Sequence, residues 1–378
     1  MVQLLKLVLL AGFVLTPLTV HAMGGDQWIK DPKTGCEVYG ANPDSGEGVT
    51  WAGACSNGKA NGSGVLQWSS YGSPNQRYEG EMLAGKMHGK GSVRWANGER
   101  YEGEWRDGKR NGKGIFVWRD VKNGENIVAE RYEGEWRDDK RDGTGSMNWI
   151  SGDGGWTKWI NGDRYQGGWL NDKKSGRGTI TWLNGSRYDG EWLDGKFHGK
   201  GSMKWSDGAH YEGEWRESKK HGTGSMTWAN GDRYEGDWRE GKRHGKGSFI
   251  FSKNTADKIY QPTRYDGDYR DDKQHGKAVM TWHDGKDRYE GDYLPEGRTG
   301  KGVKVWANGD RYEGEWLKGD MHGKGVYTTA NGTRFEAEWK ADESVAGTGI
   351  ATKKDGSRYT ATFKAGKLYI EDQPLTAN

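Results

Sequence analysis

Six of the nine histidines stand at one position of a recurring basic stretch: His88, His198, His221, His244, His275 and His322, in settings such as GKMHGKG, GKFHGKG and DKQHGKA. Histidine beside lysine suits metal ligation, proton transfer or a charge that responds to pH. The spacing argues against a shared ion. If each copy is a hairpin, equivalent histidines lie two strands apart, about 9–10 Å, whereas ligands sit about 2 Å from a metal. The expectation is therefore a row of solvated turn residues, including the candidate binding residues His198, His221 and His244. Together they form a basic edge that strengthens below about pH 6.5.

The carboxylate pairs of the EGEW stretches would serve acid–base chemistry only if they converged. They recur on a face that alternates with the apolar one, so they read as solvated. No Ser-His-Asp pattern, phosphate loop or zinc signature is present. Gly-x-Gly matches such as Gly112 to Gly114 precede no helix. The reading is a chain without catalytic residues, cofactor or metal. Cys36 and Cys55, the only cysteines, have 18 residues between them and neither a Cys-x-x-Cys motif nor a nearby base. A disulfide that staples the N-terminal segment to the first repeat is expected.

The elements that carry these residues follow from a repeat. YEGEW and its variants begin at Tyr78, Tyr101, Tyr132, Tyr165, Tyr188, Tyr211, Tyr234, Tyr265, Tyr289, Tyr312, Phe335 and Tyr359, with a degenerate copy at Trp51. Within a copy the apolar period is two, the mark of a half-buried strand. Tyr101, Gly103 and Trp105 alternate with Glu102, Glu104 and Arg106; after DGKRN, Gly112, Gly114, Phe116 and Trp118 alternate with Lys113, Ile115 and Val117. The position of Phe116 is apolar or aromatic elsewhere (Leu66, Met203, Tyr327), with Lys304 the exception. Each copy is thus a β-hairpin, and the fold is all-β: an elongated, twisted antiparallel meander of stacked hairpins.

Glycines opposite the tryptophans give the rings a flat floor. The stripe so formed contains Tyr101, Trp105, Trp118, Tyr188, Trp192, Trp205, Tyr211, Trp215 and Trp228. Gly108 and the Asn97-Gly98 and Asn230-Gly231 steps supply turns that need positive φ.

The stretch YDGEWLDGKFHGKGSMKWSDG, residues 188–208, resembles the MORN (membrane occupation and recognition nexus) repeat, with Asp189 in place of its first Glu. About twelve such copies span 51–363. The resemblance implies a scaffold for protein–protein contacts or phospholipid association, without an attached catalytic domain. Residues 35–55, GCEVYGANPDSGEGVTWAGAC, look like the leader that precedes such repeats in bacterial exported proteins. Choline-binding repeats also use Gly and Trp, but lack the Gly-x-Gly second strand.

Three copies are longer, through RDVKNGENIVAER, ISGDGGWTKWINGDR and SKNTADKIYQPTR, each after the second strand. The second insertion carries Trp156 and Trp159, candidate recognition residues because exposed tryptophans concentrate at binding surfaces. At the N-terminus, residues 1–22 read as a signal peptide. Its apolar run, Leu7 to Leu15, is too short to span a membrane, and Val20-His21-Ala22 suits cleavage after Ala22. Residues 23–50 form the leader and 364–378 a tail, with no transmembrane segment after cleavage. The chain is read as exported, periplasmic or extracellular. Charge is balanced, 57 Lys+Arg against 54 Asp+Glu, which speaks against nucleic acid. The expected function is a noncatalytic scaffold that binds an envelope or secreted protein. The alternatives are phospholipid or lipopolysaccharide binding by the basic edge, and carbohydrate binding by the aromatic ladder.

Overall fold

The computed structural model describes residues 27–40, 47–122, 125–150, 161–252, 262–282, 285–340, 348–364 and 367–374. Residues 1–22, Trp156, Trp159 and most of the third insertion lie outside them. The described residues form 28 β-strands and no α-helix. They divide into two compact units, one up to Arg141 and the other from Asp142 onward. In each unit successive repeat strands pair antiparallel, as the alternation predicts.

The hairpin Arg187–Leu193 and Lys196–Lys204 represents the repeat. Tyr188 faces Met203, Gly190 faces Gly201 and Trp192 faces Phe197. Asp194 and Gly195 join the strands with φ of 50° and 81°, the pair of left-handed residues that a tight hairpin turn of native twist requires. Asp107, Asp138, Asn171, Asp271 and others repeat that positive φ at the first turn position, where short polar side chains tolerate it.

The turn is thus two residues long, and the second strand resumes at once. Three residues further on, the pairing slips: Gly190 faces Gly201, but Glu191 faces His198. Gly199, with φ of 52°, lies in this bulge. The freed Lys200 N–H donates to Glu191 Oε1 at 3.1 Å. Thr223 N–H to Glu214 (3.1 Å) and Lys246 N–H to Asp237 (2.9 Å) repeat the contact. The second carboxylate of EGEW is therefore a backbone cap.

The glycine pair floors the tyrosine, not the tryptophan. A Cβ on Gly201 would strike the Tyr188 ring, and one on Gly114 the Tyr101 ring. Trp51, at the tyrosine position of the first copy, lies likewise over Gly53 and Gly64. The first-strand tryptophans instead stand edge-on between two tyrosines. Trp192 meets Tyr165 at 5.2 Å and Tyr188 at 5.4 Å, with planes 82° and 88° apart; such T-shaped pairs suit the ring quadrupoles. Each indole donates Nε1–H to a carbonyl of the preceding copy, Trp192 to Gly178 at 3.0 Å and Trp215 to Gly201 at 3.1 Å. Each tyrosine hydroxyl donates three residues along its own strand, Tyr188 to Glu191 O at 2.9 Å. The rings fill the core, with the polar atoms of Tyr188, Trp192 and Trp215 satisfied. Gly201→Ala, which forces the Tyr188 ring off its floor, is expected to lower stability by about 1–3 kcal/mol in a thermal melt.

Both edges are stitched between copies. Gly195 N–H donates to Lys174 O, Ser218 N–H to Phe197 O and Gly241 N–H to Lys220 O, each at 2.9 Å. At the other edge Asp232 accepts from Ser252 N–H (2.7 Å) and Asp310 from Ala330 N–H (2.8 Å). The first insertion lengthens its hairpin, whose strands run Lys109–Lys122 and Glu125–Arg137.

The leader forms its own hairpin, Gln27–Lys30 with Glu37–Gly40. Cys36 and Cys55 are joined, their Cα atoms 5.8 Å apart, so the staple expected from the sequence is present. Glu37 N–H reaches Gly58 O and Tyr39 N–H reaches Gly85 O, both at 2.8 Å. The leader thereby lies against the turns of the first two copies. Buried Asp31 accepts from Lys33 N–H, Thr34 Oγ and Trp51 N–H.

Candidate binding surfaces

The histidines are not turn residues. His88, His198, His221, His244, His275 and His322 are half-buried strand residues beside the bulge, on the face opposite the tyrosines. Alternation alone does not show the register slip that puts them there. His244 Nδ1 lies 3.7 Å from Asp271 of the next copy. Among the described residues no group of three or more His, Cys, Asp or Glu is placed to hold a metal ion.

The aromatic stripe has two classes of ring. Tyr101, Tyr188 and Tyr211 are fully buried, and Trp105, Trp192 and Trp215 nearly so. Trp118, Trp205 and Trp228, at the ends of second strands, are half-buried. Cations cover this face: Lys220 Nζ is 5.9 Å from the Trp205 ring and 4.2 Å from Trp238, and Arg243 packs against Trp228, Tyr234 and Phe249. Burial pushes the Lys220 amine down to about 8. Lys304, the sequence exception, is buried in the core position with Nζ 3.6 Å from Asp287 and 3.7 Å over the Trp282 ring. Desolvation holds it too at about 8, against the opposing pull of Asp287. The position stays apolar in character because the alkyl stem fills it.

The opposite face carries charge in rows. Arginine and carboxylate two residues apart on one strand pair repeatedly, as in Arg187–Asp189 (3.1 Å), Arg233–Glu235 (3.3 Å), Arg288–Glu290 (2.6 Å) and Arg311–Glu313 (2.7 Å). The lysines of the GKG stretches face the bulge-capping acids across the ladder: Lys246–Asp268 at 3.0 Å and Lys277–Asp292 at 2.6 Å. Side-chain exposure of these pairs is mostly near one half, so each contributes little to stability. Their effect is to fix where the charges stand. The basic stretches therefore do not make a positive edge: acids interleave with them, a cross-strand relation that strand-by-strand reading misses. A concavity of about 840 Å³ lies on this face in the second unit, lined by such lysines and acids between Lys246 and Lys324.

No helix among the described residues is long and apolar enough to cross a membrane. No curated protein matches the chain. A family model for the MORN repeat matches eleven segments: 56–73, 78–100, 101–120, 132–154, 165–187, 188–210, 211–233, 234–256, 265–286, 296–311 and 312–334. These cover more than half of the chain, stop short of the hairpins that begin at Phe335 and Tyr359, and coincide with the paired strands and ring ladder described above. Repeats of this kind are generally protein- or membrane-binding scaffolds and typically noncatalytic. The chain belongs to the MORN repeat family.

Proposed function

We propose that the protein is an exported, noncatalytic scaffold that binds another protein at the cell envelope through the charged face of its repeats. The observation that carries this reading is the division of labour between the faces. The tyrosines and first-strand tryptophans are consumed by packing, whereas the opposite face holds fixed, half-exposed charges of both signs. Complementary charge of that kind gives specificity and register to a protein contact. Anionic lipid headgroups are less well supported, because carboxylates interleave with the lysines and arginines. A carbohydrate ligand would be left with the half-buried row of Trp118, Trp205 and Trp228. Export is supported by the signal-like residues 1–22 and by a disulfide that suits an oxidising compartment.

The test is affinity capture from the native envelope fraction, with N-terminal sequencing of the mature bait. The expected result is a protein partner retained after delipidation and a chain that begins at Met23. Recovery of lipid or glycan alone, or a bait with Met1 intact, would overturn the reading.

A further inference from the structure

Asn-Gly steps are chemically labile, because a glycine offers little hindrance to its own nitrogen closing on the asparagine carboxamide. Ten such steps occur in the chain, and the fold does not treat them alike. Five close the turns that lead from one copy to the next: Asn97, Asn184, Asn230, Asn308 and Asn331. In each the glycine N–H donates to a carbonyl three residues back, as Gly98 does to Trp95 O at 2.9 Å and Gly332 to Thr329 O at 2.8 Å. Each Asn Oδ1 also accepts a backbone N–H two residues on, from Asp232 to Asn230 at 3.0 Å for instance. Nitrogen and carboxamide are both held. Asn61 and Asn111 lie within strands, where Gly62 faces Met82 and Gly112 faces Trp136. The side chains of Asn123 and Asn161 are outside the described ones.

Asn57-Gly58 differs. It is the two-residue turn of the first hairpin, with φ of 49° and 73°, and both residues are exposed. In later copies the second turn residue donates its N–H to the copy before: Gly85 to Ala60 O at 2.8 Å, Gly108 to Met87 O at 2.9 Å and Gly319 to Arg298 O at 2.9 Å. The first copy has the leader before it instead. At this turn the leader brings a donor, Glu37 N–H to Gly58 O at 2.8 Å, and no acceptor. Among the described residues nothing accepts from the Gly58 N–H, and nothing binds the Asn57 carboxamide.

We infer that Asn57 is a deamidation site, and that its isoaspartyl product breaks the leader's hydrogen bond to the first repeat. Gly58 N gives its proton to hydroxide and attacks Asn57 Cγ. The new C–N bond forms, the Cγ–Nδ2 bond breaks, and the nitrogen leaves as ammonia with a proton from water. Water then opens the cyclic imide at either carbonyl and yields aspartate or isoaspartate. Aspartate fits the turn, since Asp107 and Asp194 hold the same position with φ of 52° and 50°. Isoaspartate runs the main chain through the side-chain carbon and lengthens it by one atom. That carries Gly58 O away from Glu37 N–H, next to the point where Cys36 and Cys55 are joined.

The test ages the folded mature chain at mildly alkaline pH and maps its peptides by mass spectrometry, with fragmentation that separates isoaspartate from aspartate. Two hydrogen bonds slow ring closure in the other turns and none does at Asn57, so Asn57 should convert at least about tenfold faster than Asn97, Asn230 and Asn308. In urea, with those bonds gone, the rates should converge. In the aged chain the Glu37 amide should exchange faster with solvent. Fresh Asn57→Asp, and Asn57→Gly aged in the same way, should keep that amide protected. The inference is overturned by equal rates in the folded chain, by a rate difference that persists unchanged in urea, or by a Glu37 amide still protected once isoaspartate has formed.

Discussion

Raised above pH 10, the protein is expected to unfold cooperatively within roughly one pH unit. Desolvation pushes the phenols of Tyr78, Tyr188, Tyr211 and Tyr312 far above their ordinary value, and the carboxylates of Glu81, Glu191, Glu214 and Glu315 add to the shift. Their hydroxyls donate to backbone carbonyls, which a phenolate cannot do. An unfolded tyrosine ionises near pH 10 while the folded one keeps its proton. The folded state then binds more protons, so this stability is full below pH 10 and falls as pH rises. Each phenol contributes about 1.4 kcal/mol per pH unit, and many act together against a total stability of about 5–15 kcal/mol. Lys220 and Lys304, held at about 8, act the other way and raise stability between pH 8 and about 10.5, but they are outnumbered. Phenolate absorbance and circular dichroism followed together test this. Phenolate that appears gradually near pH 10 with the strands intact would mean that the tyrosines are open to water.

Trp192→Ala should cost about 3–5 kcal/mol. The indole is buried, stands edge-on to Tyr165 and Tyr188, touches Phe197 with centroids 4.8 Å apart, and donates to Gly178 O of the preceding copy. Its loss removes packing on two copies at once and leaves a buried carbonyl short of a donor. Because each hairpin is stabilised by its neighbours, hydrogen exchange should quicken on both sides of the substitution. Trp205→Ala, which removes a half-buried ring at a strand end, should cost clearly less in the same thermal melt. Equal and small effects for both would contradict the packing described.

Much of this was legible because the motif is dense and regular. The alternation of Tyr101, Gly103 and Trp105 with charged residues predicts the strand and its buried face, and the face is as predicted. The apolar series at the Phe116 position is buried throughout, Lys304 included. Three things were not legible. The bulge after Gly190 arises from a register slip between strands, and a period of two within one strand does not reveal it; hence the histidines move from the turn to the strand. The sequence suggests a glycine floor under the tryptophans, because spacing shows which residues share a face but not which ring lies flat. That choice is made by the preceding copy, whose carbonyl accepts the indole N–H. For the same reason the lysines looked like a positive edge until cross-strand pairing set carboxylates beside them.

The central claim is that recognition belongs to the charged face and the aromatic face to stability. The most direct measurement is partner capture from the native envelope fraction by three baits: wild type, Glu290→Lys with Lys301→Glu on the charged face, and Trp205→Ser with Trp228→Ser on the aromatic side. The account predicts that the charged-face bait keeps its melting temperature and loses the partner, while the tryptophan bait melts earlier and still captures it. Capture that survives charge reversal but is lost with the two tryptophans, in a bait that remains folded, would contradict it.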